Sequence, residues 1–95
     1  MLNLVATGND INHHEIQIGD SVSGYCMGKF PFTGKIVSNR SNQIRQNGRY
    51  HNLIKFSILL TSDCERPQNG LFKSGETILI TLNGNKATEL ITLSR

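Results

Sequence analysis

The chain has 95 residues, ten lysines and arginines against seven acids, a formal net charge of +3 and no tryptophan. That length fits one domain with one modest core. Apolar runs such as Ile58-Leu59-Leu60 and Ile78-Leu79-Ile80 fall far short of the ~20 residues of a membrane-spanning helix, so no membrane partner is expected. The opening "MLNLVATGND" lacks a basic segment followed by a long apolar one, so it does not read as a secretory signal, and the expected location is the cytoplasm.

Residues 1–15 hold the turn formers of "TGNDINHHE" and no sustained period. They are expected to be weakly structured, with Leu2, Leu4 and Ile11 available to pack or to add an edge strand. From residue 16 to 95 the pattern is β. Ile16 and Ile18 flank Gln17, Gly19-Asp20 makes a turn, and a strand runs from Ser21 to Met27, with Gly24 marking a bulge or a close backbone approach. "GKFPFTG", residues 28–34, reads as a loop, because Pro31 cannot donate to a ladder and two glycines bracket it. A second strand begins at "KIVSNR".

Asn47-Gly48 is the strongest hairpin signal, since both central positions of a type I′ turn need positive φ. That turn sets Gln46 opposite Arg49, Arg45 opposite Tyr50 and Arg40 opposite Lys55. The next strand places Asn52, Ile54, Phe56, Ile58 and Leu60 on one face, whose apolar part must be the core. Residues 61–77 read as a long polar connection with an irregular turn around Pro67 to Asn69. "ETILITL" is a fourth strand, its β-branched residues arguing against a helix. "NGN", Asn83 to Asn85, is a second turn, and "ATELITL" closes the chain with a short fifth strand.

Five short strands and one long hairpin point to an all-β, five-stranded small barrel. The stretch "IGDSVSGYCMGKFPFTGKIV" resembles the opening of SH3-like barrels of the KOW and Tudor type. In those, Gly-Asp-x-Val enters the first strand and a Gly-x-Val-like step starts the second. Here the matching residues are Gly19, Asp20 and Val22, then Gly34, Lys35 and Ile36. The resemblance covers about 20 residues, the rest fitting by strand count, and it implies an SH3-like domain over 16–95 that contacts RNA or the ribosomal or transcription machinery. The plasmid-encoded type II dihydrofolate reductases are also SH3-like barrels, but their Val-Gln-Ile-Tyr motif has no counterpart where "ILITL" stands.

Charge is unevenly distributed. No acid lies between Asp20 and Asp63, whereas Lys29, Lys35, Arg40, Arg45, Arg49 and Lys55 do. Clustered cations raise the local potential toward polyanions. Arginine suits bidentate contact with phosphate or guanine, and Tyr50 and His51 suit base stacking. The expected function is therefore non-enzymatic binding of RNA or DNA through a central basic hairpin surface, using Lys29, Lys35, Arg40, Arg45, Arg49, Tyr50, His51 and Lys55. Two other readings stay open from sequence alone. The arginines merely solvate the hairpin, or the chain is a small protein–protein module or inhibitor, of the type phages and mobile elements encode, covering an acidic patch on a host protein. Exposed strand edges also leave a homodimer open.

In the loop "MGKFPFTG", Phe30 and Phe32 flank Pro31. At least one ring is expected to close the end of the core, and one left exposed would stack or dock between Lys29 and Lys35. No metal or cofactor is expected: His13 and His14 are adjacent and point to opposite faces of a strand, and Cys26, Cys64 and His51 have no paired ligand spacing. No nucleophile–base signature appears. Cys26 and Cys64 are expected to be partly buried thiols, though a disulfide stays open if the fold brings them together.

Overall fold

A computed structural model of the chain describes residues 1–5, 7–26, 29–66, 70–83 and 91–94, with positions 44, 46, 51, 66, 83, 92 and 94 described by backbone alone. The protein is all-β, and no helix occurs among the described residues. In chain order the strands are β1 (Leu2–Asn3), β2 (Ser21–Cys26), β3 (Phe30–Asn39), β4 (Asn42–Gln46), β5 (Arg49–Leu60), β6 (Cys64–Arg66), β7 (Gly70–Phe72), β8 (Thr77–Asn83) and β9 (Thr92–Ser94). The main sheet has the order β1-β2-β3-β5-β8-β9, with β4 paired to β5, while β6 and β7 form a separate two-stranded sheet.

Period-two alternation explains the core. On β5, Phe56, Ile58 and Leu60 are buried, and they pack with Val22, Phe32, Ile36, Ile78, Ile80, Leu82 and Leu93. Each is a strand residue, and along a strand successive positions alternate between the two faces.

The Asn-Gly turn alone would give the wrong faces for β3. At the hairpin end the pairing is Ser38↔Ser57 and Asn39↔Phe56, which is the register of the turn. Extended unchanged, it would set Lys35 opposite Leu60, on the core side, and turn Ile36 out to solvent. Instead the register shifts between Ile36 and Ser38, leaving Val37 as the extra residue, and the ladder continues as Ile36↔Ile58 and Lys35↔Leu59. One inserted residue swaps the faces. Ile36 is thereby buried, and Lys35 and Val37 are exposed.

Two sequence expectations need correction. Residues 30–34 are not a loop: β3 begins at Phe30, with Pro31 paired to Tyr25 of β2. Proline is tolerated there because the β3–β5 ladder starts only at Gly34↔Leu60, so β2 is the sole ladder partner at that end. Residues 61–77 are not only a polar connection, because β6 and β7 pair there and bury Cys64 and Phe72. Among the described residues the main sheet is not closed by continuous pairing, and an isolated parallel bridge, Cys26–Ile91, joins the end of β2 to the residue before β9. The turns expected at Pro67–Asn69 and within 83–85, and most of the expected fifth strand, lie outside the described residues.

Residues 1–15 owe their order to contacts across the chain. β1 runs parallel to β2 with Leu2↔Val22 and Asn3↔Ser23, and the Leu4 N–H donates to the Ser23 carbonyl at 2.7 Å. The Asp10 side chain is buried and accepts from the Asn3 N–H (2.5 Å) and the Asn12 N–H (3.2 Å). The Asn3 amide is the main reason the Asp10 carboxyl is held below its ordinary range, against the opposing effect of burial. Cys26 and Cys64 are both buried and are not joined in a disulfide; Cys64 Sγ lies 3.8 Å from the Glu65 carbonyl. No helix of the described residues is long and apolar enough to cross a membrane.

Candidate nucleic-acid interface

The β4–β5 hairpin turns at Asn47 (φ 53°) and Gly48 (φ 76°). Both values lie in the left-handed region that a type I′ turn requires, and Gly48 supplies its share without a Cβ penalty. The pairs Gln46↔Arg49 and Arg45↔Tyr50 follow. The last β5–β8 pair is Leu53↔Asn83, so among the described residues the tip beyond Asn52 is a two-stranded ribbon. At ~3.3 Å per residue it extends roughly 17 Å past that point. Every described side chain on it is exposed.

Cross-strand partners share a face, which sorts the cations. Arg45 and Tyr50 lie together on the side that continues the core face, with the guanidinium 5.8 Å from the ring centroid and Tyr50 63% exposed. Arg49, Lys55 and Lys35 have the opposite parity and lie on the outer face. Arg40 joins Lys55 there through its own N–H, which donates to the Lys55 carbonyl at 2.8 Å. The Lys55 N–H donates to the Ser41 hydroxyl at 3.3 Å, so the break between β3 and β4 is bridged by a side chain.

Lys29 is separate. It sits at the far end of β3, about 30 Å along the strand from Asn39, and lines a depression with Phe30, Pro31, Asp63, Glu65 and Leu71. Two carboxylates thus share its surroundings, and it does not belong with the others. Phe32 is buried and Phe30 is half-buried against the core, so neither ring stands exposed between lysines. The His51 backbone pairs with Ile44; its side chain lies outside the described residues.

Among the described residues, none of Lys29, Lys35, Arg40, Arg45, Arg49 or Lys55 has a carboxylate oxygen within 4.0 Å. His14 Nδ1 lies 3.9 Å from the Asp10 carboxylate. No group of three His, Cys, Asp or Glu side chains is placed to hold a metal among the described residues.

Two surface features escaped the sequence reading. Tyr25 is 60% exposed and borders a groove of about 390 Å³ with Leu4, Val5, Ile11 and Pro31. The outer sheet face also carries half-buried Leu53, Leu59 and Leu79 beside Lys55. Tyr25 could have been flagged by its parity opposite to buried Val22, and the outward side of Leu59 does follow from its alternation with Ile58 and Leu60. No family model, curated protein or solved structure matches the chain.

Proposed function

We propose that this chain is a non-enzymatic nucleic-acid-binding module on a small SH3-like barrel, contacting phosphates through Lys35, Arg40, Arg45, Arg49 and Lys55. The observation that carries this is the projecting basic ribbon and its root, whose cations have no described carboxylate within ion-pair distance. Like charges opposed across strands, as at Arg40 and Lys55, cost a few tenths of a kcal/mol, and a bound phosphate relieves that cost. Support for the barrel comes from the Cys26–Ile91 bridge and the Gly19-Asp20 turn. There the Gly19 N–H donates to the Ile36 carbonyl (2.8 Å) and the Ile36 N–H to the Asp20 carbonyl (3.0 Å).

Five phosphate contacts give a salt slope of about −4.5 in log K against log salt on duplex DNA. The test is a titration of labelled oligonucleotides across salt concentrations with the wild type and with Arg45→Glu plus Arg49→Glu. Unchanged binding by the double variant defeats the reading. A second reading, a protein-binding module, is favoured by the Tyr25-lined groove. It requires that oligonucleotides be ignored and that Tyr25→Ala release one stoichiometric protein partner.

A further inference from the structure

Resting on that nucleic-acid reading, we infer that the ligand is double-stranded B-form DNA, with the β4–β5 ribbon entering its major groove tip first. Cations occupy both faces of the ribbon, Arg45 on one and Arg49 on the other, as the pairs Arg45↔Tyr50 and Gln46↔Arg49 require. A groove presents phosphates on two walls, and a ribbon charged on both faces complements both. A single strand running over one face would leave half of that charge unused.

A second observation points the same way. Single-strand binders align exposed aromatics with a cationic groove. Among the described side chains, the exposed ring of the ribbon is Tyr50, which lies across the ribbon from Lys55 and Arg49, and Arg45 already covers part of it at 5.8 Å. Among the described side chains, the outer face around Lys35 and Lys55 offers Leu59, Leu79, Ser57 and Thr81 in place of rings.

Dimensions agree with a major groove. It is ~12 Å wide and ~8.5 Å deep and admits a two-stranded ribbon. At ~3.3 Å per residue that depth takes in the Asn47-Gly48 turn and the rows Gln46/Arg49 and Arg45/Tyr50. The turn itself is unobstructed, with open space around Gly48. Lys55 lies roughly 17 Å above Tyr50 along β5, beyond the groove rim, so it meets flanking phosphates only where the duplex bends toward the sheet. A-form RNA has a deep, narrow major groove that excludes such an element.

The full chain is titrated by fluorescence anisotropy against a DNA duplex of about two helical turns, an RNA duplex of the same sequence, and one of the DNA strands. The DNA duplex should bind about tenfold tighter than either competitor at one salt concentration. Dimethyl sulfate footprinting should show guanine N7, which faces the major groove, protected. Arg45→Ala plus Arg49→Ala should abolish that protection. Lys55→Ala, outside the groove, should weaken affinity less and leave the protection pattern intact. Equal or tighter binding of the single strand overturns the inference but leaves the nucleic-acid reading standing, as does protection confined to adenine N3 in the minor groove. Failure to bind any of the three removes both.

Discussion

From Phe56 to Leu59, β5 lies between β3 and β8 and directs Phe56 and Ile58 into the core. From Arg49 to Asn52 the same strand has β4 as its described neighbour, and each described side chain there is exposed. One continuous ladder therefore spans two regimes. A two-stranded hairpin is marginal by itself in water, so the ribbon depends on the packed half for its position. The packed half tolerates little change in shape, whereas the ribbon is free to carry charge. Stability and binding should thus separate along a single strand.

The sharpest way to break this comparison is Ile58→Ala. Ile58 is fully buried, and its truncation should cost about 2–5 kcal/mol, read from the midpoint of urea unfolding. A loss no larger than that of a ribbon variant would erase the distinction.

Gly34→Ala comes next. A Cβ there would stand 2.7 Å from the Leu59 carbonyl oxygen, which is backbone and has little room to retreat. The expected cost is about 1–3 kcal/mol, and thermal unfolding would measure it; a neutral result means the β3–β5 ladder can slide apart.

Arg45→Ala and Tyr50→Ala should each move stability by no more than about 0.5–1 kcal/mol, because their contact is an exposed cation–π pair. Their effect should appear in oligonucleotide affinity. If either variant melts like Ile58→Ala, the ribbon is part of the core after all.

Acid supplies the subtlest comparison. The Asp10 carboxyl titrates below the ordinary value of 3.8. Its lowered pKa means that the ionised form stabilises the fold above the unfolded value. That contribution disappears as pH falls through the folded value. Denaturant midpoints should decline on acidification below about pH 4, and Asp10→Asn should remove this part of the decline. An identical pH profile in the variant would show that the Asn3 amide does not select the anion.

Much of the hairpin was legible because its determinants are adjacent in sequence. Asn47-Gly48 sets the turn, the turn sets the pairs up to Arg40 and Lys55, and alternation on β5 identifies Phe56, Ile58 and Leu60. The strand at "TILITL" was equally plain from its β-branched residues. The β6–β7 pair was hidden because Cys64 stands alone among polar residues and Leu71-Phe72 is too short an apolar run to read as a strand. Nothing local marks Pro31 as a strand residue, since its tolerance depends on which neighbour is missing. The clustering of cations was visible as composition but not as geometry. Lys29 departs to share a surface with Asp63 and Glu65, and Arg45 parts from Arg49 by the parity of the strand.

By itself, the sequence determined an all-β chain with a type I′ hairpin and a basic middle, since φ preferences and period two act between near neighbours. The tertiary structure decided the extra residue at Val37, the burial of Asp10 under the Asn3 amide, and the division of the cations between faces. The Val37 bulge follows from β3 meeting the core strand β5, and the Asp10 site from the chain folding back on Asn3 where β1 joins β2. It matters whether Lys35 or Ile36 points inward because this part of β3 pairs with Ile58 and Leu59 of the core strand.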